Sequence, residues 1–228
     1  TLASCDSRKT AGENPFFNEW DTPHGVPPFD KILPEHFMPA FERGMSLHEA
    51  EIDAITSNKD EATFENTILA YDNAGQMLAQ TELVFGMLCA AETNDRMQAL
   101  QEQAMPLLAA HRDKIRLDDK LFVRVKEVYD RRAALGLDAE QMRLLQKTYD
   151  SFVRAGALLD AEQKARLKEI NGQLSLTAVK FGNNILAENN NFVLELKSDE
   201  LDGLPAGIRD AAREKAQQMG KGDKWVFT

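Results

Sequence analysis

NPFFNEWDTPHGVPPFDKILPEHFMPAFERGM, residues 14–45, is the stretch from which the fold is first read. Its first part carries Pro15, Pro23, Pro27, Pro28 and Pro34. Each proline removes a backbone donor and biases its predecessor away from helix, so 14–34 is predicted to be extended. Phe16, Phe17, Trp20 and Phe29 make it too aromatic for a solvated linker. They are expected to anchor the segment on a folded domain, a simpler role for it than substrate contact.

The pattern changes at Glu35. Phe37, Phe41, Met45, His48 and Ile52 recur at steps of four, four, three and four, which places them on one face of a helix reaching about Ser57. A second helix is predicted over 62–92, with Phe64, Ile68, Tyr71, Leu78, Phe85 and Leu88 as its stripe. A third is predicted over 94–117 with a kink at Pro106, and a fourth over 118–135, closed by Gly136. Asp138-Ala-Glu-Gln141 and Asp160-Ala-Glu-Gln163 read as capping boxes that open two further helices. The first carries Met142, Leu145, Tyr149, Phe152, Gly156 and Leu159. The second runs to about Asn189 with Leu167, Ile170, Leu174, Thr177 and Phe181 along one side.

The last forty or so residues change character. Residues 192–196 alternate and read as a short strand, 206–219 as a helix ended by Gly220, and 224–228 as a second strand. The expected class is mostly α: antiparallel α-hairpins or a helical bundle, with a small β-hairpin-like element near the C-terminus. The expected division is 1–13 disordered, 14–34 an extended segment packed on the domain, 35–190 helical, and 191–228 the start of a small α+β element. The last residues lie within a strand, which reads as a truncated product.

Composition narrows the function. In 228 residues, Lys+Arg 27 against Asp+Glu 37 gives a net charge of −10. Such a surface repels phosphate backbones and argues against nucleic-acid partners. Hydrophobic residues make up 43%, enough for a sizeable core, and no run approaches a transmembrane helix. Cys89 lies in an apolar helical run and reads as a buried small hydrophobe. Leu2-Ala3-Ser4-Cys5 matches the end of a bacterial lipoprotein signal, in which the cysteine is lipidated after cleavage. Polar residues 6–13 then suit a tether. This implies a cell-envelope or periplasmic protein anchored to membrane through Cys5; the alternative is an ordinary disordered terminus on a cytoplasmic protein.

The Asn14–Met45 block, with ATFENTI (62–68), LFVRVKEVYDRR (121–132) and LLQKTYDSFVRAGALL (144–159), resembles the N-terminal part of bacterial peptidyl-dipeptidases. These belong to the thimet-oligopeptidase-like zinc metallopeptidases, and the resemblance covers roughly residues 14–228. It implies the N-terminal lobe of a two-lobed, mostly helical enzyme with a deep channel. The other, catalytic lobe, missing here, would remove dipeptides from the free C-terminus of short peptides. This lobe would form one channel wall.

The family's zinc site uses H-E-x-x-H on a helix, with a distant Glu as third ligand. His48-Glu49-Ala50-Glu51 begins that pattern, but Ile52 stands where the second ligand is needed. His24, His36 and His111 are too scattered along the sequence to assemble into a site. Carboxylate runs such as Glu49/Glu51/Asp53 and Asp118/Asp119 read as solvated helix faces. No catalytic and no metal-binding residue is therefore assigned, and substrate-binding residues are unknown. Zinc is expected only in the full-length protein, and the 228 residues alone are expected to bind none stoichiometrically and to be inactive. A related endo-acting oligopeptidase, a stand-alone lipid-anchored helical binding module and a generic helical scaffold are the alternatives. An exposed apolar face toward the missing lobe is also expected. The lipid-anchor expectation is checked by the intact mass of the mature native protein. Cys5 at the amino terminus with added acyl mass is the expected result, and an unmodified residue preceding it contradicts the expectation.

Overall fold

The structure is a computed structural model describing residues 14–228. Cys5 and the rest of 1–13 lie outside the described residues. Two compact units divide the chain, the first ending at Leu176 and the second running from Thr177 to Thr228.

In the first unit, Asn14 caps a turn of 3₁₀ helix, Pro15–Phe17, by accepting from the Phe16 N–H, while its amide donates to the carbonyl of His36 at 2.8 Å. The indole N–H of Trp20 donates to the Pro15 carbonyl at 3.0 Å. Phe16 is buried against Phe37, with ring centroids 5.3 Å apart, and Arg43 covers the ring of Phe17. These contacts hold the proline-rich segment to the helices. Phe29 does not share in this: it is exposed, and Ile32 is the buried residue instead. A short-range fold explains the exchange, because the Lys31 and Ile32 N–H groups both return to the Pro28 carbonyl and turn Ile32 inward.

Helix α1 runs over Phe37–Ser57. The second predicted helix is in fact broken. A π-helical turn, Phe64–Leu69, leads into the short α2, Ala70–Asp72, and then α3, Gln76–Ala91. The break is at Gly75, whose φ of +74° is left-handed. Its N–H, which would otherwise be free at the start of α3, donates to Glu51 Oε2 at 2.7 Å. A β-carbon there would stand 2.9 Å from His48 Nδ1, so glycine is required both by the backbone and by close approach.

Asn94 caps α4, Asp95–Arg116, whose helical run continues through Pro106. Asp118 caps α5, Asp119–Asp130, and Gly136 follows with φ +62°. Both capping boxes are present: Asp138–Gln141 opens α6, Ala139–Arg154, and Asp160–Gln163 opens α7, Ala161–Asn191.

Two hydrophobic clusters fill the first unit. One gathers Phe16, Phe37, Phe41, Leu78, Phe85 and Leu108, where the proline-rich segment meets α1, α3 and α4. The other gathers Ile52, Ile68, Leu121, Val125, Leu145 and Phe152, from α1, the π-helical turn, α5 and α6. The start of α7 is tied to this unit by polar contacts: Lys164 to Asp119, and Asn171 Nδ2 to Asp113 Oδ1 at 2.8 Å. Its apolar side is not buried here, since Ile170 and Leu174 are exposed, Leu174 by 61%.

The second unit starts within α7, where Val179 is buried and Phe181 is 66% exposed. Strand β1, Leu194–Leu196, pairs antiparallel with β2, Trp225–Phe227, in the register Leu194↔Phe227. Between them lies α8, Ala206–Gln218, which buries Ala212 and Ala216. Val226 is buried, and Arg213 covers the Trp225 ring. Glu195 is clamped by Lys221 and Lys224, which hold its carboxyl down to about 2. Among the described residues no helix is long and apolar enough to cross a membrane.

Gly75→Ala puts a side chain into a left-handed position against His48. It is expected to lower the unfolding free energy by about 1–3 kcal/mol. Urea denaturation checks this, and an unchanged midpoint contradicts it.

Candidate functional site

His48 lies on the inward face of α1 and His111 on that of α4, flanked at helical spacing by Leu108 and Ile115. Though far apart in sequence, the two rings meet: His111 Nε2 is 3.0 Å from His48 Nδ1, with ring centroids 5.0 Å apart. His111 is only 5% exposed. Sequence reading did not foresee this contact, which joins two helices without assembling a metal site among the described residues. The signal was present in the periodicity, since each histidine occupies an apolar-face position of its helix. What sequence spacing could not show is that those faces oppose one another.

Charged groups surround the pair. The second ring nitrogen of His111, Nδ1, is buried without a well-formed hydrogen bond and lies 3.5 Å from Glu49 Oε1. Glu49 Oε2 is 2.8 Å from Lys114 Nζ. The Lys114 hydrogen bond holds the Glu49 carboxyl below the ordinary range, so Glu49 stands as an anion beside His111. That anion favours the tautomer with the His111 proton on Nδ1, leaving Nε2 to accept from His48 Nδ1–H. Burial lowers the affinity of both imidazoles for a second proton, and His48 is lowered further by the charge of His111. The resting arrangement is thus a chain of polar contacts from His48 through His111 and Glu49 to Lys114.

Beside it, Glu51 reaches the Gly75 N–H and borders an open groove of about 380 Å³ whose far side includes Asn66, Ala70 and Asn73. Asn66 is committed to structure. Its amide donates to the Glu61 carbonyl at 2.9 Å, and its carbonyl accepts from the Thr63 N–H, the Thr67 hydroxyl and Arg124 Nη2. Arg124, 9% exposed, also donates through Nη1 to the carbonyls of Asn58 and Asp60. This buried guanidinium fixes the turn after α1 and supports the π-helical segment. Sequence reading did not single it out, because a charged residue in a helix defaults to a surface position.

The arrangement has the character of a polar joint. His24 and His36 are drawn elsewhere: His24 sits in a turn with φ +60°, and His36 Nδ1 accepts from the Leu33 N–H. Ile52, at the position where a second zinc ligand would stand, is buried in a hydrophobic cluster. Among the described residues, no group of three or more His, Cys, Asp or Glu side chains is placed to hold a metal ion. Cys89 is half-buried, and burial pushes its thiol up, which makes it a poor nucleophile.

No protein-family model matches the chain. It is 38% identical over 215 residues to the dipeptidyl carboxypeptidase of Escherichia coli (strain K12), an alignment covering 94% of this chain and 32% of that protein. The dipeptidyl carboxypeptidase of Salmonella typhimurium (strain LT2) is 36% identical over the same shares of the two chains. Oligopeptidase A of Escherichia coli (strain K12) is 24% identical over 197 residues, covering 86% of this chain and 29% of that protein. The chain spans about a third of the length of the curated relatives it matches. Over that span it matches the N-terminal part of the dipeptidyl-carboxypeptidase-like, thimet-oligopeptidase-like family.

Proposed function

We propose that the chain serves as the non-catalytic, N-terminal helical part of a zinc peptidyl-dipeptidase, which removes dipeptides from the free C-terminus of short peptides. The observation that carries this reading is the 38% identity to a dipeptidyl carboxypeptidase along 94% of the chain. The polar groups described above support a structural role, because they are spent on joining helices. Zinc, held by the rest of such a protein, would supply Lewis-acid activation of water and of the scissile carbonyl. The helical part would form one wall of the substrate channel and exclude folded proteins by shape. Exposed apolar side chains on α7, Ile170 and Leu174 in the first unit and Phe181 in the second, offer surface for such a wall. A lipid anchor at Cys5 belongs to the same proposal and would place the enzyme at the cell envelope.

A second reading is endo-acting cleavage, favoured by the similarity to oligopeptidase A. The test compares the zinc-loaded longer protein with the chain alone on a short peptide carrying a free or an amidated C-terminus. Dipeptide release from the free form only, requiring the longer protein, is the expected result. Internal cleavage of the amidated peptide supports the endo reading. Hydrolysis by the chain alone, or none by the longer protein, overturns the proposal.

A further inference from the structure

The two hydrophobic clusters are bridged by the same three stretches of chain. Helix α1 gives Phe37 and Phe41 to one and Ile52 and Ile55 to the other. Helix α4 gives Leu108 to one and Ile115 to the other, and the chain from Phe64 and Ile68 to Leu78 and Phe85 passes between them as well. On each stretch, a residue without an apolar side chain lies between its two sets: His48 on α1, His111 on α4, Gly75 in the turn. These three residues touch. The histidines share a contact of 3.0 Å, and a side chain at Gly75 would collide with His48. The polar joint therefore sits on the seam between the clusters.

We propose that the His48–His111 contact is an acid-labile latch across this seam, locking α1 to α4 while the pair is neutral and releasing the two clusters from one another when both rings are charged. The chemistry is that of the imidazole ring. A neutral pair offers one N–H and one lone pair at the contact. A doubly protonated pair presents two N–H donors and two positive charges to each other, and no acceptor is left between them.

The groups facing the pair set where release falls. Glu49 and Glu51 of α1 face His48 and favour its proton, while His111 from α4 opposes it. Gly75 adds only backbone, with its N–H taken by Glu51. His111 is faced by Glu49, which favours its proton, and by Lys114 and Arg112 of its own helix, which oppose it. Arg112 is itself paired with Glu82 of α3 at 3.5 Å. Burial outweighs the carboxylates, so both rings lie below the ordinary value of 6.5. Above that value the pair is neutral in folded and unfolded chains alike, and the latch is fully present. As pH falls below it, the unfolded or opened state takes up protons that the closed joint resists, and stability is lost.

Hydrogen exchange of the full protein, read by mass spectrometry at about pH 7.5 and about pH 5.5 and corrected for intrinsic rates, tests this. Peptides covering 44–55 and 104–115 are expected to lose protection by roughly tenfold at the lower pH, while those from α5 and α6 change less. His111→Gln, which stays neutral at both values, reduces the pH dependence to the part that the buried His48 ring carries alone. Glu49→Gln changes a partly exposed residue and removes a carboxylate that favours the closed joint's proton, so it deepens the loss of protection at the lower pH. Equal protection at both pH values overturns the proposal. So does a pH dependence that His111→Gln leaves undiminished, or a loss of protection at the lower pH that Glu49→Gln fails to deepen.

Discussion

A helix that serves two apolar clusters must carry its chain through the gap between them, and the side chain at the gap cannot be chosen for either. In α1 that residue is His48 and in α4 it is His111, and each satisfies the other with a hydrogen bond of 3.0 Å. A buried polar group without a partner costs about 1–3 kcal/mol. Either histidine alone would therefore be a liability, whereas the pair is a joint that fixes how α1 lies on α4. Gly75 completes it from the third side. The left-handed turn that ends α2 brings the backbone against the His48 ring and spends the Glu51 carboxylate on its own N–H. The rest of the first unit follows from this arrangement. Phe37 and Phe41 face the proline-rich segment, and Ile52 and Ile55 face α5 and α6, because one helix is held at its middle.

Much of this was legible in the residues. The proline-rich segment, the helix starts at Asn94, Asp118, Asp138 and Asp160, and the paired strands were readable because caps, prolines and period-two runs act locally. The break at Gly75 was not, because an apolar stripe of helical period continues across it from Tyr71 to Leu78. One glycine inside a helical pattern reads as a tolerated defect until a partner carboxylate is seen on its N–H. Phe29 differs for the converse reason: its hydrophobicity is visible in the sequence, but the turn that points Ile32 inward in its place is not. The joint itself was half-legible. His48 was placed on the correct face, but its partner lies 63 positions away, and pairing between helices leaves no mark in spacing.

The functional reading rests on a different kind of evidence. Helices rich in Leu, Ala and Glu resemble one another, so no single block identifies an ancestry, yet the match to dipeptidyl carboxypeptidases runs along 94% of the chain. Several polar side chains are occupied with architecture: Arg124 on loop carbonyls, Asn66 on the π-helical turn, His48 and His111 on each other. Apolar residues left outside include Leu174 and Phe181 of α7, which keep 61% and 66% of their surface exposed, and also Leu83 of α3 and Val123 of α5.

A double-mutant cycle on His48→Gln and His111→Gln, read as unfolding free energy at neutral pH, tests most directly that these residues form one shared tie. The two changes should be coupled, with an interaction energy above about 0.5 kcal/mol, because each removes a partner the other needs. Strict additivity would mean that the rings do not meet and that the two clusters are joined by something else.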